Sequence, residues 1–337
     1  MRTLGRREFL QGLTVAGTAS LLGAHLAPAN AEPPPETTTL RIIADRRPGI
    51  CIAPQYVAAD LLRGEGFTDV KYLLKATFAE RLQALATGEA QMTVAFVSSL
   101  ISRVDAGDPI IVLAGSHVGC FELFVTERVR AIRDLKGKTV AIAQMGSPDH
   151  LFLSVILLQV GLDPRRDVNW VEKPPADAIR LLAEGKIDAV LNFPPVAQEL
   201  RARRIGHVIL NSSIDRPWSQ YFCCVVAAHR DFVRKHPVAT KRAVRAMVKG
   251  ADVCALEPER TARFLVDKGY TERYDYALQA LRDVPYAKWR EYDPEDTLRF
   301  YALRLHEVGM IKSSPQKILA QGTDWRFLKE LKKELKG

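Results

Sequence analysis

The chain has 337 residues, 47% of them hydrophobic and 26% charged, and its formal net charge is +9 at pH 7. This length is sufficient for two domains of ordinary size. The lysines and arginines are scattered and form no nucleic-acid-binding motif, so we interpret the basic balance as solvated surface and exclude nucleic acid as a partner.

The N-terminal segment has the features of an export signal. Arg6 and Arg7, followed by Glu8-Phe9-Leu10, precede an apolar stretch rich in glycine and alanine and then Ala29-Asn30-Ala31. This order predicts a signal peptide over residues 1–31, cleaved after Ala31. The paired arginines resemble a twin-arginine signal, with the general secretory route as the alternative. We expect a soluble periplasmic protein, because no later stretch has about eighteen consecutive apolar residues.

Strand-like and helix-like segments alternate after this signal. In the first series we predict strands at 40–44, 70–74, 92–96 and 110–115, with helices at 53–62, 78–86 and 98–105 between them. In the second series we predict strands at 139–143, 168–172, 187–192 and 207–210, with helices at 149–160 and 176–184. This alternation is typical of α/β proteins with parallel, doubly wound sheets.

The C-terminal third of the sequence changes character. From Asp231 onward the pattern is helical almost throughout, interrupted by prolines and glycines. Two apolar extended runs, 121–126 and 221–228, bracket the second series, and we interpret them as crossovers between two lobes. We therefore expect residues 32–125 and 222–337 to form the first lobe and residues 126–221 to form the second.

The cysteines and histidines predict neither a disulfide framework nor a metal site. Five cysteines are an odd number without CxxC spacing, and the seven histidines are dispersed, so we expect no cofactor and no metal ligands. Cys223 and Cys224 are adjacent in a predicted strand, so their side chains should point to opposite faces. We interpret most of the cysteines as buried structural thiols.

Four phrases in a shared order carry a resemblance to a known family. They are Ala53-Pro54-Gln55-Tyr56-Val57-Ala58, Leu85-Ala86-Thr87-Gly88-Glu89-Ala90-Gln91, Asp134-Leu135-Lys136-Gly137-Lys138-Thr139-Val140 and Leu182-Ala183-Glu184-Gly185-Lys186-Ile187-Asp188-Ala189. The chain thus resembles the nitrate/sulfonate/taurine class of periplasmic substrate-binding proteins, a group that includes binders of pyrimidine precursors of thiamine. The resemblance implies a two-lobed type II binding-protein fold, in which the first lobe returns after the second and the ligand lies between them.

Candidate ligand contacts follow from the placement of the predicted strands, because ligands of open parallel sheets bind beyond the carboxyl ends of strands. Gly146 and Ser147, like Ser98, stand at predicted helix starts that could offer backbone amides to an oxygen. Phe193 and Trp218 could stack on a flat ligand. The complete set of candidates is Arg46, Cys51, Ser98, His117, Glu122, Gly146, Ser147, Asn192, Phe193, Trp218 and Gln220.

Three of these candidates have basic or acidic side chains. Arg46 and His117 could supply positive charge to an acidic ligand. Glu122 begins an otherwise apolar crossover run, and we expect its carboxylate at the cleft floor, since an unpaired buried charge would be costly. The alternative for each candidate is a purely structural role in a cap, the core or the solvated surface.

These observations favour a protein that binds a solute and does not catalyse a reaction on it. We expect a monomeric solute-binding protein that captures a small molecule and delivers it to the membrane permease of an ABC importer. Nitrate, an alkyl sulfonate, a pyrimidine and an aromatic acid remain open as solutes. The alternatives are an enzyme on the same fold or a ligand-sensing subunit of a membrane receptor. Phe222-Cys223-Cys224 is only superficially similar to the Cys-Cys-Cys-Phe-Cys phrase of the thiamine-pyrimidine enzyme, and it is not a match.

Overall fold

The structure is a computed structural model that describes residues 32–45 and 49–335. The predicted signal peptide and Arg46 lie outside the described residues. Two five-stranded sheets carry the strands of this part of the chain, and helices cover them. The architecture confirms the predicted α/β fold with two lobes.

The first sheet has the strand order β2-β1-β3-β10-β4. Its strands are β1 (Thr39–Asp45), β2 (Asp69–Lys75), β3 (Met92–Phe96), β4 (Ile110–Val118) and β10 (Phe222–His229). The second sheet has the order β7-β6-β8-β5-β9. Its strands are β5 (Glu122–Val125), β6 (Thr139–Ile142), β7 (Asn169–Glu172), β8 (Ala189–Asn192) and β9 (His207–Asn211).

Both sheets are mixed, whereas the alternation of strands and helices predicted parallel ones. β10 runs antiparallel to β3 and β4, and β5 runs antiparallel to β8 and β9. The remaining pairs are parallel. The two crossover strands cause the difference, because each enters its sheet from the opposite lobe and therefore in the reverse direction.

The division of the chain into lobes is refined by strand pairing. β5 was expected to end the first lobe, but it pairs only with strands of the second sheet. All strands of the second sheet come from residues 122–211, whereas β10 returns to the first sheet. We therefore propose lobe changes at residues 119–121 and 212–221 in place of those at 125 and 221.

Helices flank the strands and form the C-terminal region. In the two strand series the helices are α1 (Ala53–Gly64), α2 (Phe78–Ala86), α3 (Val97–Asp105), α4 (Pro148–Gln159), α5 (Pro175–Ala183) and α6 (Val196–Ala202). After β10 the helices are α7 (Arg230–Lys235), α8 (Pro237–Leu256), α9 (Pro258–Asp267), α10 (Tyr274–Asp283), α11 (Pro294–Glu307), α12 (Pro315–Gly322) and α13 (Arg326–Glu334). No helix within the described residues is both long and apolar enough to cross a membrane.

The C-terminal helices pack against the first lobe. α8 crosses α1 so closely that a Cβ atom at Gly250 would lie 2.4 Å from the carbonyl oxygen of Pro54. Trp289 is fully buried behind this contact, and its indole nitrogen donates to Asp252 on α8 at 2.8 Å. This close approach explains why the helical tail belongs with the first lobe rather than forming a domain of its own.

A single buried serine ties the end of β9 to the first crossover. The Ser212 hydroxyl accepts hydrogen bonds from the amides of Cys120 (3.0 Å) and Phe121 (2.8 Å) and donates to the Phe121 carbonyl oxygen (3.0 Å). Ser212 is 1% exposed, so water cannot replace these bonds.

We predict that Ser212→Ala lowers the free energy of unfolding by about 2 kcal/mol, because two buried amides lose their acceptor. Chemical denaturation of the purified protein measures this change. Ser213→Ala is the matched control, since the structure gives this neighbour no comparable role in the crossover. Equal stability of the two variants would contradict the prediction.

Candidate functional site

A cavity lies where the carboxyl ends of β1 and β3 meet loops of the second lobe. About 60 Å³ of it is open to the centres of water-sized molecules. The first lobe contributes the ends of both strands and parts of α1 and α2, and the second lobe contributes Pro148 and Phe193. Residues from both lobes therefore line one cavity, as a ligand held between lobes requires.

The strands separate at this place for an identifiable reason. β1 and β3 are in register only at Ile42 and Met92. Beyond that pair, the buried amide of Gln55 on α1 takes the place of strand-to-strand hydrogen bonds, because it donates to the Ile43 carbonyl (3.0 Å) and accepts from the Val94 amide (2.9 Å). Gln55 thus satisfies both backbones while it leaves a gap between the strands, and the cavity opens there.

The wall of the cavity is mainly apolar and aromatic. Four phenylalanines line it: Phe78, Phe96, Phe121 and Phe193. The Phe193 ring lies close to Gly49 of the opposite lobe, where an added Cβ would be 3.0 Å from a ring atom. Flat apolar side chains from both lobes can therefore sandwich a small ligand.

An ion pair supplies the charge at the cavity. Arg81, on the first turns of α2, contacts the Asp45 carboxylate at 2.6 Å, and its guanidinium lies 4.9 Å from the centre of the Phe78 ring. Both charged side chains are about one-fifth exposed. Among the described residues that line the cavity, Arg81 and Asp45 thus form an oppositely charged pair.

Sulfur atoms form the remaining part of the wall. Cys51, Cys120 and Cys224 line the cavity, and His117 and Cys223 lie behind them. All five cysteines of the chain are buried, and none forms a disulfide. The Cys120 and Cys223 sulfur atoms are 3.2 Å apart. We call Cys51, His117, Cys120, Cys223 and Cys224 the sulfur cluster.

The electrostatics of the sulfur cluster differ from those of isolated buried thiols. The neighbouring Cys120 and Cys224 thiols lower the pKa of Cys51 well below its ordinary value, whereas burial raises the pKa of Cys120. Burial works to lower the pKa of His117, but the adjacent Cys51 and Cys223 raise it. By contrast, burial in an apolar helix interface raises the pKa of Cys254.

The sequence did not predict this cluster, and one of its expectations was wrong. Cys223 and Cys224 were expected on opposite faces of a strand, yet both sulfur atoms lie beside His117. The pairing of β10 with β4 shifts register on both sides of Cys224, which pairs with His117. Such a bulge turns a side chain out of the ordinary alternation, so both thiols reach the same place.

Two of the candidate ligand contacts, Cys51 and Phe193, line the cavity. Two other candidates, Ser147 and Glu122, do not line the cavity, but the residues next to them in sequence, Pro148 and Phe121, do. His117 lies inside β4 rather than in a loop after it. Asn192 and Gly146 do not line the cavity, and Gln220 is exposed in the crossover.

Three further candidates, Ser98, Ser147 and Trp218, do not line the cavity. Ser98 lies one residue inside α3, so it does not cap the helix as expected, and it is fully buried. The Ser147 hydroxyl donates to the Gln144 carbonyl at 2.6 Å. Trp218 is 3% exposed and packs against Phe152. The Ser147 hydroxyl thus bonds within its own loop, and the Trp218 ring belongs to the core.

Glu122 does not lie at the cavity. It is 4% exposed, and its carboxylate is 3.5 Å from Arg201 on α6, which also binds Asp283 on α10. Burial raises the pKa of Glu122, and Arg201 partly opposes this effect. The partner that stabilises the buried Glu122 carboxylate is therefore the neighbouring Arg201 rather than a ligand.

Sequence reasoning missed Arg81, Asp45 and Gln55, which are polar residues of the cavity. Asp45 directly follows a predicted strand, and that position could have been used to find it. Arg81 and Gln55 lie on helices, where arginine and glutamine are common for solvation alone. Their role depends on which helix face meets the sheet, and periodicity did not single them out.

Solved structures with the same fold include three binding proteins. The periplasmic nitrate-binding protein NrtA from Synechocystis PCC 6803 is 14% identical, with 90% of each chain covered and a TM-score of 0.76. The alkanesulfonate-binding protein SsuA from Xanthomonas axonopodis pv. citri is 16% identical, with 86% of this chain and 99% of that chain covered and a TM-score of 0.71. The periplasmic aliphatic sulphonate binding protein SsuA from Escherichia coli is 17% identical, with 83% and 91% covered and a TM-score of 0.68.

These likenesses show a common fold across nearly the whole described chain. A search of curated proteins found no match. A sequence model of the NMT1-like family matches residues 47–265, which is more than half of the chain and includes most of the cavity residues. The chain belongs to the NMT1-like family.

Proposed function

We propose that the protein is the extracytoplasmic solute-binding component of an ABC importer. The observation that carries this proposal is the cavity lined by residues of both lobes, in a fold shared with periplasmic nitrate- and sulfonate-binding proteins. A ligand that contacts both lobes favours their closed arrangement, which a membrane permease can recognise. The proposal includes export to the periplasm after cleavage of residues 1–31, by the twin-arginine or the general secretory route, and action as a monomer.

The cavity favours one class of solute over the others. Four phenylalanines line it, and within the described residues Arg81 is paired with Asp45. A small, flat and mainly apolar solute gains most from such a wall, because burial of its surface is favourable and ring contacts add to it. We therefore propose a solute with a flat ring, such as a pyrimidine or an aromatic acid, whose ring contacts the phenylalanines and whose polar end lies near Asp45 and Arg81.

Thermal-shift screening of the mature protein tests this proposal. A flat ring-containing solute should raise the unfolding midpoint more than nitrate or an alkyl sulfonate does, since only ligands that bind the folded state stabilise it. Ala95→Leu places a larger side chain in the cavity wall and should abolish the shift. Ala202→Leu, on the exposed end of α6, is the matched control and should retain it. A full shift in Ala95→Leu, or no shift with any solute class, would contradict the proposed site.

An enzyme on the same fold is the second candidate, and one observation favours it. Cys51 lies on the cavity wall, its pKa is lowered by neighbouring thiols, and His117 lies beside it. A thiol of lowered pKa next to a histidine is the arrangement of nucleophilic cysteines. Product that accumulates from a bound solute in proportion to protein concentration would favour the enzyme, and loss of that activity in Cys51→Ser would assign it.

A further inference from the structure

The sulfur cluster brings together five side chains that can bind a soft metal ion. The ligand atoms of Cys51, His117 and Cys224 all lie within 4.8 Å of one another, and so do those of His117, Cys120 and Cys223. None of the five residues is more than 5% exposed. Such convergence of thiols and an imidazole is the composition of Zn²⁺ and Cu⁺ sites, whereas Mg²⁺ and Ca²⁺ require oxygen ligands.

The orientation of His117 indicates which ring nitrogen is available. Its Nδ1 atom is 3.2 Å from the carbonyl oxygens of Val118 and Gly119. Carbonyl oxygens only accept hydrogen bonds, so Nδ1 carries a proton, and in the neutral imidazole Nε2 presents a lone pair. Nε2 is buried and has no hydrogen-bond partner within the described part of the chain. A backbone carbonyl that fixes the other nitrogen is the usual support of a metal-binding histidine.

The spacing of the ligand atoms is near that of a tetrahedral metal site. With metal–sulfur bonds of about 2.3 Å, the ligand atoms of a tetrahedral site lie about 3.8 Å apart. The atoms of the sulfur cluster are within 4.8 Å of one another in each set, and the closest sulfur pair, Cys120 and Cys223, is 3.2 Å apart. Changes of a few tenths of an ångström to about one ångström would therefore produce the required geometry.

We propose that the sulfur cluster binds one thiophilic cation, Zn²⁺ or Cu⁺, with His117 Nε2 as the ligand common to both sets of residues. The cluster holds a single ion, because Nε2 has one lone pair. Each thiol that becomes a charged ligand releases its proton to solvent; two thiolates balance the two charges of Zn²⁺, and one thiolate balances the single charge of Cu⁺. This neutral assembly avoids the cost of an uncompensated buried charge.

The cavity provides the route by which the ion reaches the cluster. Cys51, Cys120 and Cys224 line the cavity, so three of the four sulfur atoms are next to space that opens between the lobes. His117 and Cys223 lie behind them and need no opening of their own. The ion would therefore form part of the cavity floor, while the aromatic walls remain in place for a solute.

Metal titration of the reduced, chelator-treated mature protein tests the proposal. Zn²⁺ and Cu⁺ are added separately, and Co²⁺ serves as a spectroscopic substitute for Zn²⁺. We expect one equivalent of ion per chain, a thiolate-to-Co²⁺ charge-transfer band, and a higher unfolding midpoint with Zn²⁺ or Cu⁺. His117→Gln and Cys224→Ser should each weaken binding by about a hundredfold.

Cys254→Ser is the matched control, because Cys254 is also fully buried but lies on α8 outside the sulfur cluster. It should bind the ion as tightly as the unaltered chain. Binding that is unchanged in His117→Gln and Cys224→Ser, or lost in Cys254→Ser, would overturn the proposal. So would the absence of stoichiometric binding of all three ions.

A second measurement needs no variant and therefore does not depend on the folding of one. In the unaltered protein, one equivalent of Zn²⁺ should slow alkylation of the cluster thiols at least tenfold, while alkylation of Cys254 changes much less. Peptide mass spectrometry after timed alkylation in mild denaturant resolves the sites. Equal protection of all five cysteines would indicate general stabilisation and would overturn the assignment. Because neither measurement uses a solute, a failure of the proposed import function would leave this result unaffected.

Discussion

Phe152→Ala should lower the free energy of unfolding by about 3–5 kcal/mol, the largest effect expected of the substitutions considered. Phe152 lies on α4 of the second lobe and is 1% exposed. Its ring contacts Phe96 and Phe121 at centroid distances of 5.6 and 5.2 Å, and it also contacts Trp218 and Tyr301. Truncation would leave a cavity among rings contributed by both lobes and a crossover, which cannot collapse without moving the lobes.

Denaturant-induced unfolding, followed by circular dichroism, measures this effect. Phe152→Leu keeps most of the apolar volume and is the matched control, with an expected cost below about 2 kcal/mol. Phe96 and Phe121 also line the cavity, so Phe152→Ala should additionally weaken the binding of any solute found by screening. A cost below about 1 kcal/mol for Phe152→Ala would show that the aromatic contacts between the lobes contribute little.

Arg201→Met should destabilise the protein by about 2 kcal/mol near neutral pH, because it leaves the buried Glu122 carboxylate without its cation. We expect less than the full cost of breaking a buried pair, since Arg201 is 30% exposed and solvent can partly replace it. Arg203→Met is the matched control on the same helix. It removes an exposed pair with Glu199 and should cost less than about 0.5 kcal/mol.

The dependence of this effect on pH identifies the responsible group. Burial raises the pKa of Glu122 in the folded protein, so the folded state binds a proton more tightly than the unfolded state does. Stability from this group is therefore present at low pH and is lost as the pH rises from the unfolded pKa through the folded pKa. Without Arg201 the folded pKa rises further, so the cost of Arg201→Met should be small near pH 4 and grow toward pH 8.

Glu122→Gln in the Arg201→Met background provides the rescue. The amide has no charge to bury, so the double variant should recover most of the stability lost at pH 8 and show little additional pH dependence. Stability curves at pH 4, 6 and 8 give the comparison. A cost of Arg201→Met that is independent of pH would show that the loss comes from Asp283 or from packing rather than from Glu122.

Local features of the fold were predictable from the sequence, because they depend on neighbouring residues. The helix over 78–86 was predicted with the bounds that the structure shows, and it begins with a capping box between Thr77 and Glu80. The strand over 92–96 was also predicted within its exact bounds. Apolar runs ended by turn residues carry this information in the chain itself.

Pairing between distant segments was not predictable in the same way. The runs that contain β5 and β10 were recognised as crossovers, but nothing in their composition states which sheet each joins. The sulfur cluster has the same origin, since Cys51, His117 and Cys224 are far apart in sequence. Their convergence depends on the antiparallel pairing of β10 with β4 and on its bulge at Cys223, and neither leaves a local signal.

The cavity was predicted in its location but not in its chemistry. The sequence pointed to the carboxyl ends of the strands, and a cavity lies at the ends of β1 and β3. The helix-start residues Ser98 and Ser147 were favoured because such positions often bind oxygen atoms. In the structure they make local contacts or are buried, and apolar rings occupy the wall instead. Ring placement depends on side-chain packing, which the order of elements does not specify.

The position of β10 also determines the order in which the two lobes can be completed during synthesis. Every strand of the second sheet comes from residues 122–211, so that sheet can assemble as soon as this continuous segment exists. The first sheet cannot assemble completely at that stage, because β10, which comes later in the chain, lies between β3 and β4. Until residues 222–229 are made, β4 has no neighbouring strand in its sheet, and the backbone groups along its edge remain unpaired. The lobe that begins first along the chain is therefore the one that is finished last.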